Sequence, residues 1–463
     1  MTSSGLEYLP NSMTLSRKLA QQQLLKTRNE ARFSSLPVAT IHESASSLPL
    51  SEPSTIQSAL EKLRRRVRKA PPDQEPSSGS VSDQRDDTFG GVLEVNGDGA
   101  FLRRVSHTPF GLESQQEALW VSRLIQLLCT QEQVADPRSI IFLDTETTGL
   151  SGGAGTVAFL VGVGRWTESG FAVEQYLMRD YHEERAMLLG LQQSIADAQL
   201  LVTFNGKAFD IPLLQSRFVL ARQRWPLAGV LHLDLLHPAR RLWKLRLGNC
   251  CLANLESQLF GIEREDDIPG HLIPQVYFRY IRTRNPQGIG NILSHNRDDI
   301  ETLARLALRM GEIFSGLANQ DLAPVDLFSA GRYANALGER ELATRWNEAA
   351  LLRGLPEAHE VQAKKAKAAR LKEQKKYSEA AELWRDLSEC SEAFLEDVQE
   401  ELAIYYEHRK GDLEEALSLS ERALAQLQDR AVLKKWGHRR DRVVMKLARR
   451  KPVEPSLLFH GQS

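Results

Sequence analysis

The sequence predicts an α/β layered domain followed by an all-α domain. Between residues 139 and 220, apolar runs typical of strands alternate with patterns typical of helices, which favours a sheet flanked by helices. Beyond residue 325, related segments recur around Ala343, Ala380 and Ala416 at spacings of 37 and 36 residues, a period typical of stacked helical hairpins. The chain has 463 residues, 42% of them hydrophobic, which is enough apolar material for two or three compact units.

The N-terminal residues 1–88 are predicted to form a disordered arm, because they are rich in Ser and Pro and poor in aromatic residues. The basic run KLRRRVRK at residues 62–69 is interpreted as a short helix or flexible arm that touches phosphates, or as a solvated run. Alternating apolar and polar residues around Asn96-Gly97-Asp98-Gly99 then predict a β-hairpin. A helix is expected at residues 114–129.

Strands and helices are predicted to alternate through the α/β domain. SIIFL at residues 139–143 is a continuous apolar run typical of a buried strand. The glycine-rich SGGAGT at residues 151–156 lacks the G-K-[ST] of a phosphate-binding loop, so a turn is expected there. The later elements are expected to be strands at residues 157–166, 171–178 and 200–206, and helices at residues 184–195 and from Asp210 onwards.

Acidic residues stand in three separated motifs: Asp144 and Glu146 in FLDTETTGL, Asp210 in TFNGKAFDIP and Asp299 in SHNRDDIETL. Alternate residues of a strand point to the same face, so Asp144 and Glu146 are expected to project together from the end of the first buried strand. Hard divalent cations such as Mg²⁺ or Mn²⁺ prefer oxygen ligands. Two such ions can activate a water and stabilise the departing oxygen, which is the chemistry of phosphodiester hydrolysis.

These motifs resemble those of the DEDD exonucleases of the ribonuclease H-like superfamily. That family has D-x-E, then N-x-x-x-F-D, matched here by Asn205, Phe209 and Asp210, then a Tyr or His shortly before a final Asp. The segments HLDLLHPARRLWKLRLGNCCLANLE, DDIPGHLIP and HNRDDIETLA are similar to the YprB-type ribonuclease H-like domain of bacterial proteins. The resemblance covers about residues 90–312, and it leaves Asp267 and Pro269 of DDIPG without a chemical role.

The resemblance implies a ribonuclease H-like mixed sheet with flanking helices at residues 89–315, and a metal-dependent 3′–5′ exonuclease activity. It implies that the four acids bind two ions, Mg²⁺ or Mn²⁺, with Asp144 bridging both. It makes His295 the general base or the residue that positions the water. It also implies contacts to the terminal nucleotide of a single-stranded 3′ end from these residues: Thr147, Thr148, Leu150, Asn205 and Phe209. From its position beside a strand end, Phe209 could instead be a core residue.

The position of His295 departs from the family pattern. The histidine branch of these exonucleases has H-x-x-x-x-D, whereas His295 precedes Asp299 by four residues, which is the spacing of the tyrosine branch. Three explanations are open: the final loop is adjusted so that the imidazole reaches the water, Asp298 competes as the ligand, or catalysis is weaker than in the better-known members of the family.

The net charge of −1 does not exclude nucleic acid as a partner, because the cations are clustered. Arg240 and Arg241 belong to a basic stretch from Arg217 to Arg246 that contains a single acid, Asp234, and we expect them to contact the substrate strand. In YFRYIRTR at residues 277–284, aromatic and arginine side chains could stack on bases, or the aromatics could belong to the core.

Residues 325–450 are predicted to form tetratricopeptide-like helical repeats, with an ordinary helical bundle as the alternative, and residues 451–463 to be a tail. The repeats are interpreted as a binding element for a protein partner. The basic end KKWGHRRDRVVMKLARRK is a further candidate for nucleic acid contact. It begins at Lys434.

Neither membrane insertion nor secretion is expected, because the sequence has no long apolar run and no signal-peptide core. The four cysteines lack metal-binding spacing, which favours reduced thiols and a cytoplasmic location.

Two other functions compete with the exonuclease. One is a nucleic-acid-binding module with little or no turnover that recruits a partner through its helices, and the other is an endonuclease on the same fold. No motif distinguishes DNA from RNA.

Overall fold

The computed structural model describes residues 84–450, except for residues 87–88, 111, 113, 130–135, 150–154, 265–266, 318–320 and 391–393. The basic run at residues 62–69 and the tail at 451–463 therefore lie outside the described residues. In the described part of the chain, the sheet has eight strands in the order β1-β2-β3-β6-β5-β4-β7-β8. These strands are β1 (Gln84–Asp86), β2 (Gly91–Asn96), β3 (Gly99–Thr108), β4 (Ile140–Thr147), β5 (Ala158–Thr167), β6 (Gly170–Leu177), β7 (Leu200–Thr203) and β8 (Leu231–Asp234).

The sheet is mixed, as predicted. Strands β4, β5 and β6 pair as antiparallel neighbours, and β7 and β8 continue the sheet from β4 in parallel. The predicted hairpin is β2 and β3, which turn at Gly97-Asp98. Most of the predicted arm at residues 1–88 lies outside the described residues, but Gln84–Asp86 near its end pair with β2 and belong to the sheet. The arm lacks the apolar alternation that would have predicted such a short edge strand.

Helices flank the sheet, and the longest of them lies across β4, β5 and β6. The predicted helices at 114–129, at 184–195 and from Asp210 are confirmed within a residue or two. The helices of this part are α1 (Gln115–Cys129), α2 (Glu184–Ser194), α3 (Asp210–Leu220), α4 (Leu236–Leu247), α5 (Leu252–Phe260), α6 (Ile273–Thr283) and α7 (Ile289–Phe314).

Two glycines of β5 allow α7 to approach the sheet closely. A Cβ atom on Gly162 would overlap Asn296 and Ile300, and one on Gly164 would overlap Ile300 and Phe171. In the space above Gly162, the buried Asn296 side chain accepts a hydrogen bond of 3.0 Å from the Gln175 amide of β6. Because Gly162 and Gly164 have no side chains, α7 can pack closely against this part of the sheet.

An all-helical region follows the sheet, as the predicted all-α part of the fold class requires. Its helices are α8 (Pro324–Ala336), α9 (Arg340–Leu352), α10 (Glu357–Glu373), α11 (Tyr377–Cys390), α12 (Glu396–Tyr405), α13 (Leu413–Gln426) and α14 (Arg430–Arg450), with a π-helical turn at Tyr406–Lys410. Ala343, Ala380 and Ala416 are all buried. Each is the fourth residue of its helix, so the spacing of 37 and 36 residues marks equivalent positions.

The helical region shares a core with the sheet domain. One hydrophobic cluster runs from Phe142 of β4 through Met310 of α7 to Leu327 of α8 and Trp346 of α9. Because the core is continuous, α8 and α9 are packed against the sheet domain and are not joined to it by a linker alone.

Part of the positive charge of the C-terminal helix α14 is neutralised by a carboxylate of the same fold. The buried carboxylate of Glu407 accepts hydrogen bonds from Arg442 at 2.7 Å and Lys446 at 2.8 Å, and Arg439 lies 3.3 Å away. These three cations therefore have a structural role. No helix in the described part of the chain is long and apolar enough to cross a membrane.

The close approach at Gly162 generates a prediction. We expect Gly162→Ala to lower the free energy of unfolding by about 1–3 kcal/mol or more, because the added methyl group overlaps Asn296 and pushes α7 from the sheet. Gly290→Ala is the matched control, since a Cβ atom at this position of α7 meets open space. Urea denaturation of both variants measures the difference. Equal stabilities would contradict the packing described for α7.

Candidate active site

The acidic residues of the three motifs come from three elements that meet at the end of β4. Asp144 and Glu146 lie within β4, which extends to Thr147 and so continues past the predicted strand at residues 139–143. They pair with Gly162 and Leu160 of β5 and point to the same face. Asp210 is the first residue of α3, and Asp299 lies on α7. The fold thus brings together acids that are distant in sequence.

The four carboxyl groups repel one another, and little water reaches them: Glu146 is buried and the other three are partly buried. Burial raises the pKa of Asp144 well above its ordinary value, and the charges of Asp299, Asp210 and Glu146 raise it further. The pKa of Glu146 is raised in the same way, by burial first and then by Asp299 and Asp210. The fold therefore concentrates negative charge in a place where water screens it poorly.

Hydrogen-bond donors hold three of these carboxylates in place. The Asn296 amide donates to Asp144 Oδ2 at 3.0 Å, and the Thr145 hydroxyl donates to Asp210. Arg264 Nη2 donates to Asp299 Oδ1 at 2.6 Å. Donors of this kind orient carboxylates and reduce the repulsion between them.

His295 lies beside this cluster, on the same face of α7 as Asp299. Its Nε2 atom is 3.6 Å from Asp299 Oδ2 and 4.0 Å from Glu146 Oε1. Its Nδ1 atom is 2.7 Å from Asp267 Oδ1. Residues 295–299 are helical, so the first explanation for the four-residue spacing, an adjusted loop, does not describe this segment. The spacing instead stacks His295 one helical turn from Asp299.

Asp298, the other candidate ligand, is engaged elsewhere. Its carboxylate accepts hydrogen bonds from Arg297 Nε at 2.9 Å and Arg297 Nη2 at 2.7 Å. Asp299, in contrast, contributes to the raised pKa values of Asp144 and Glu146. The geometry favours Asp299 as the member of the cluster.

The residues expected at the terminal nucleotide are only partly described. Leu150 lies outside the described residues. The Thr147 hydroxyl donates to the Gly149 carbonyl at 2.9 Å, and the Thr148 hydroxyl accepts from Val157 N–H at 3.0 Å, so both shape the segment after β4. Phe209 is 55% exposed immediately before Asp210, which contradicts the alternative that it is a core residue.

Asn205 adopts a left-handed conformation, with φ of 65°, in the turn between β7 and α3. The buried Asp234 carboxylate at the end of β8 accepts hydrogen bonds from the backbone N–H groups of Asn205 at 2.8 Å and Lys207 at 3.1 Å. Asp234 therefore fixes the turn that presents Phe209 and Asp210. In the sequence it stood as the one acid in a basic stretch and within a segment of the family resemblance, with no role assigned.

The basic stretch divides into paired and exposed cations. Arg217 pairs with Glu184, and Arg246 pairs with Asp326 of α8 at 2.7 Å. Arg240 and Arg241 are exposed on α4, as a role in substrate contact requires. In YFRYIRTR, the tyrosines Tyr277 and Tyr280 belong to the core, whereas Phe278 is partly exposed.

Four residues of the site were missed by sequence reasoning: Asp234, Arg264, Asp267 and Asn296. Asp234, Asp267 and Asn296 lie within the segments that carry the family resemblance, so their positions were visible but their partners were not. Arg264 stands outside those segments, and no motif identified it. Each acts through a contact with a residue distant in sequence, which spacing along the chain does not reveal.

The donor set fits a hard divalent cation. Carboxylate oxygens are the ligands that Mg²⁺ and Mn²⁺ prefer, and here they converge from three elements in partly or fully buried positions. A bound cation would relieve their mutual repulsion. In this conformation, no three His, Cys, Asp or Glu side chains among the described residues form a complete metal-binding group. The fit therefore rests on the chemistry and burial of the carboxylates.

Comparisons with known proteins show what this chain is similar to. A family model described as the RNase_H superfamily matches residues 141–310, a range that contains all four acids and His295. The uncharacterized protein YprB of Bacillus subtilis (strain 168) is 33% identical over 293 residues, which cover 62% of this chain and 69% of YprB. Among solved structures, the family B DNA polymerase of Pyrobaculum calidifontis matches at 16% identity with a TM-score of 0.31. That match covers 48% of this chain and 30% of the polymerase chain.

Charge repulsion in the cluster generates a prediction about stability. A carboxyl group with a raised pKa in the folded state stabilises the fold below its ordinary pKa and loses that contribution as pH rises through the raised value. We therefore expect Asp144→Asn to raise the free energy of unfolding by about 0.5–2 kcal/mol at neutral pH in EDTA. The gain should shrink as the pH falls towards the ordinary carboxyl pKa.

Chemical denaturation at several pH values measures this difference. Asp298→Asn is the control, because Asp298 is paired with Arg297 and its replacement removes an attraction. An Asp144→Asn protein that is less stable than the wild type at neutral pH would show that the cluster does not carry uncompensated repulsion.

Proposed function

Because this chain belongs to the ribonuclease H superfamily and to the family of YprB, we propose that it is a metal-dependent 3′–5′ exonuclease acting on single-stranded ends. The nuclease-like fold is common to the superfamily. The observation that carries the finer proposal is the convergence of Asp144, Glu146, Asp210 and Asp299, with the His295 imidazole facing two of them.

The four carboxylates would hold two divalent ions, Mg²⁺ or Mn²⁺, and Asp144 would contact both. Such ions, when bound, neutralise charge on the attacking and leaving oxygens of a phosphodiester. Asp144 and Glu146 are held by a strand, and Asp210 and Asp299 by helices, so the ligands stand on rigid elements.

His295 would accept the proton of the attacking water. The Nε2 atom faces Glu146 and Asp299, whereas Nδ1 faces away from the cluster towards Asp267. A general base must lie within reach of the proton that it removes, and the orientation of the ring meets this requirement.

The substrate would enter across the exposed surface beside α3 and α4. Phe209 is exposed where a terminal base could stack on it. Asn205, which precedes it in the second motif, and Thr147, Thr148 and Leu150, which follow Glu146 in the first motif, would complete the contacts to the terminal nucleotide. Arg240 and Arg241 are exposed on α4 and would attract the phosphates of the strand.

Substitutions at the cluster test the activity. We expect Asp144→Asn to reduce hydrolysis of an end-labelled single strand below detection in Mn²⁺, and His295→Ala to reduce kcat by about 10²–10⁴-fold. Asp298→Asn should retain activity, because its carboxylate pairs with Arg297 and not with the cluster. Product lengths on denaturing gels provide the measurement, with EDTA as the metal-free control.

The same assay separates the competing functions. An exonuclease shortens linear DNA or RNA from the 3′ end and leaves a circular strand intact, whereas cleavage of the circle would indicate an endonuclease. Binding without cleavage by the wild type, in Mg²⁺ and in Mn²⁺, would indicate a binding module. Full activity in Asp144→Asn would show that hydrolysis does not take place at the proposed site.

A further inference from the structure

We propose that Asp267 and Arg264 are positioning residues. They would allow His295 to act although it precedes Asp299 by only four residues on the same helix. Both belong to the segment between α5 and α6, and both contact the groups that would bind metal or remove the proton. The inference rests on the proposed function and extends it to residues outside the three motifs.

Asp267 determines which nitrogen of His295 carries the proton. An ionised carboxylate can only accept a hydrogen bond, so the contact of 2.7 Å requires a proton on Nδ1. The neutral ring then has its lone pair on Nε2, the atom that faces Glu146 and Asp299. Asp267 thus selects the tautomer in which the free nitrogen points into the cluster.

The four-residue spacing makes this partner necessary. Side chains four positions apart on a helix lie above one another, so His295 could turn its ring onto Asp299 and form an ordinary helical ion pair. Asp267 approaches the ring from the opposite side and holds Nδ1 at 2.7 Å, which keeps Nε2 at 3.6 Å from Asp299 Oδ2. A separation of 3.6 Å is longer than a hydrogen bond.

Arg264 connects the two partners of His295. Its side chain is 8% exposed, with Nε donating to Glu256 at 2.5 Å and Nη2 donating to Asp299 Oδ1 at 2.6 Å. Its Nη1 atom lies 3.8 Å from Asp267 Oδ2. The planar guanidinium therefore fixes one oxygen of Asp299, leaves the other oxygen facing His295, and anchors the segment that carries Asp267.

The tautomer can be tested directly. We expect two-dimensional ¹H–¹⁵N spectra of the metal-free protein to show His295 protonated at Nδ1, with the signal assigned by its loss in His295→Ala. Asp267→Asn should produce a mixture of tautomers, because an amide can donate as well as accept. An unchanged His295 signal in Asp267→Asn would overturn the role of Asp267. This readout does not depend on activity, so it remains informative if the exonuclease proposal fails.

Kinetics give an independent test of Asp267. We expect Asp267→Asn to lower kcat by about 10–100-fold at unchanged KM, and Asp267→Glu to restore part of the loss. In the His295→Ala background, Asp267→Asn should cause no further loss, since Asp267 acts through the imidazole. Independent, multiplicative losses would show a role apart from His295. Asp298→Asn is the matched control, as a neighbouring carboxylate that pairs with Arg297.

The Arg264→Lys variant tests whether Arg264 acts through the geometry of its guanidinium group or only through its positive charge. Lysine preserves the positive charge and so protects the fold, but it lacks the fork that contacts Glu256 and Asp299 together. We expect Mn²⁺ to bind about tenfold more weakly, measured by electron paramagnetic resonance titration of free Mn²⁺. Unchanged Mn²⁺ affinity in a folded Arg264→Lys protein would mean that only the charge matters and would overturn the positioning role.

Discussion

The close contact between α7 and the sheet is the constraint on which the rest of the site depends. Gly162 has no side chain, so Asn296 can enter between the helix and β5 and bridge Gln175 of β6 to Asp144 of β4. The same rotation and depth of α7 set His295 and Asp299 above the end of β4. The absence of a side chain at Gly162 thus couples the packing of α7 to the position of the Asp144 carboxylate, which accepts its hydrogen bond from Asn296.

The site concentrates negative charge, and the surrounding structure offsets the cost. The raised pKa values of Asp144, which is partly buried, and Glu146, which is buried, mean that their ionised forms oppose folding at neutral pH. Donors from other elements reduce this repulsion: Asn296 for Asp144, Thr145 for Asp210 and Arg264 for Asp299. The hydrophobic core that continues from the sheet into α8 and α9 supplies apolar burial beyond what the sheet domain alone could provide. A destabilising site is tolerated because it is small relative to that core.

Elements with strong local patterns could be predicted from the sequence, and those defined by distant contacts could not. The buried strands β4 and β5 and helices α1 to α3 follow apolar runs and helical periodicity, and the alanine spacing located the helical array. The four-residue β8 and the three-residue β1 are too short for periodicity to reveal. At the site, the acids stood in recognisable motifs. The contacts of Asp267 with His295 and of Asp234 with Asn205 join residues separated by 28 and 29 positions, which only the fold could show.

The helix α7 also links the site to the helical region. It is 26 residues long, with Asn296, His295 and Asp299 near its beginning and Met310, Ile313 and Phe314 in the shared core near its end. Phe314 packs against Tyr333 of α8 at a ring separation of 5.5 Å, and the backbone of Trp120 in α1 lies against Gly311. Because a continuous helix moves as a rigid rod, a shift of its C-terminal half would be transmitted to His295 and Asp299. The helical region therefore helps to fix the positions of His295 and Asp299, in addition to binding any partner.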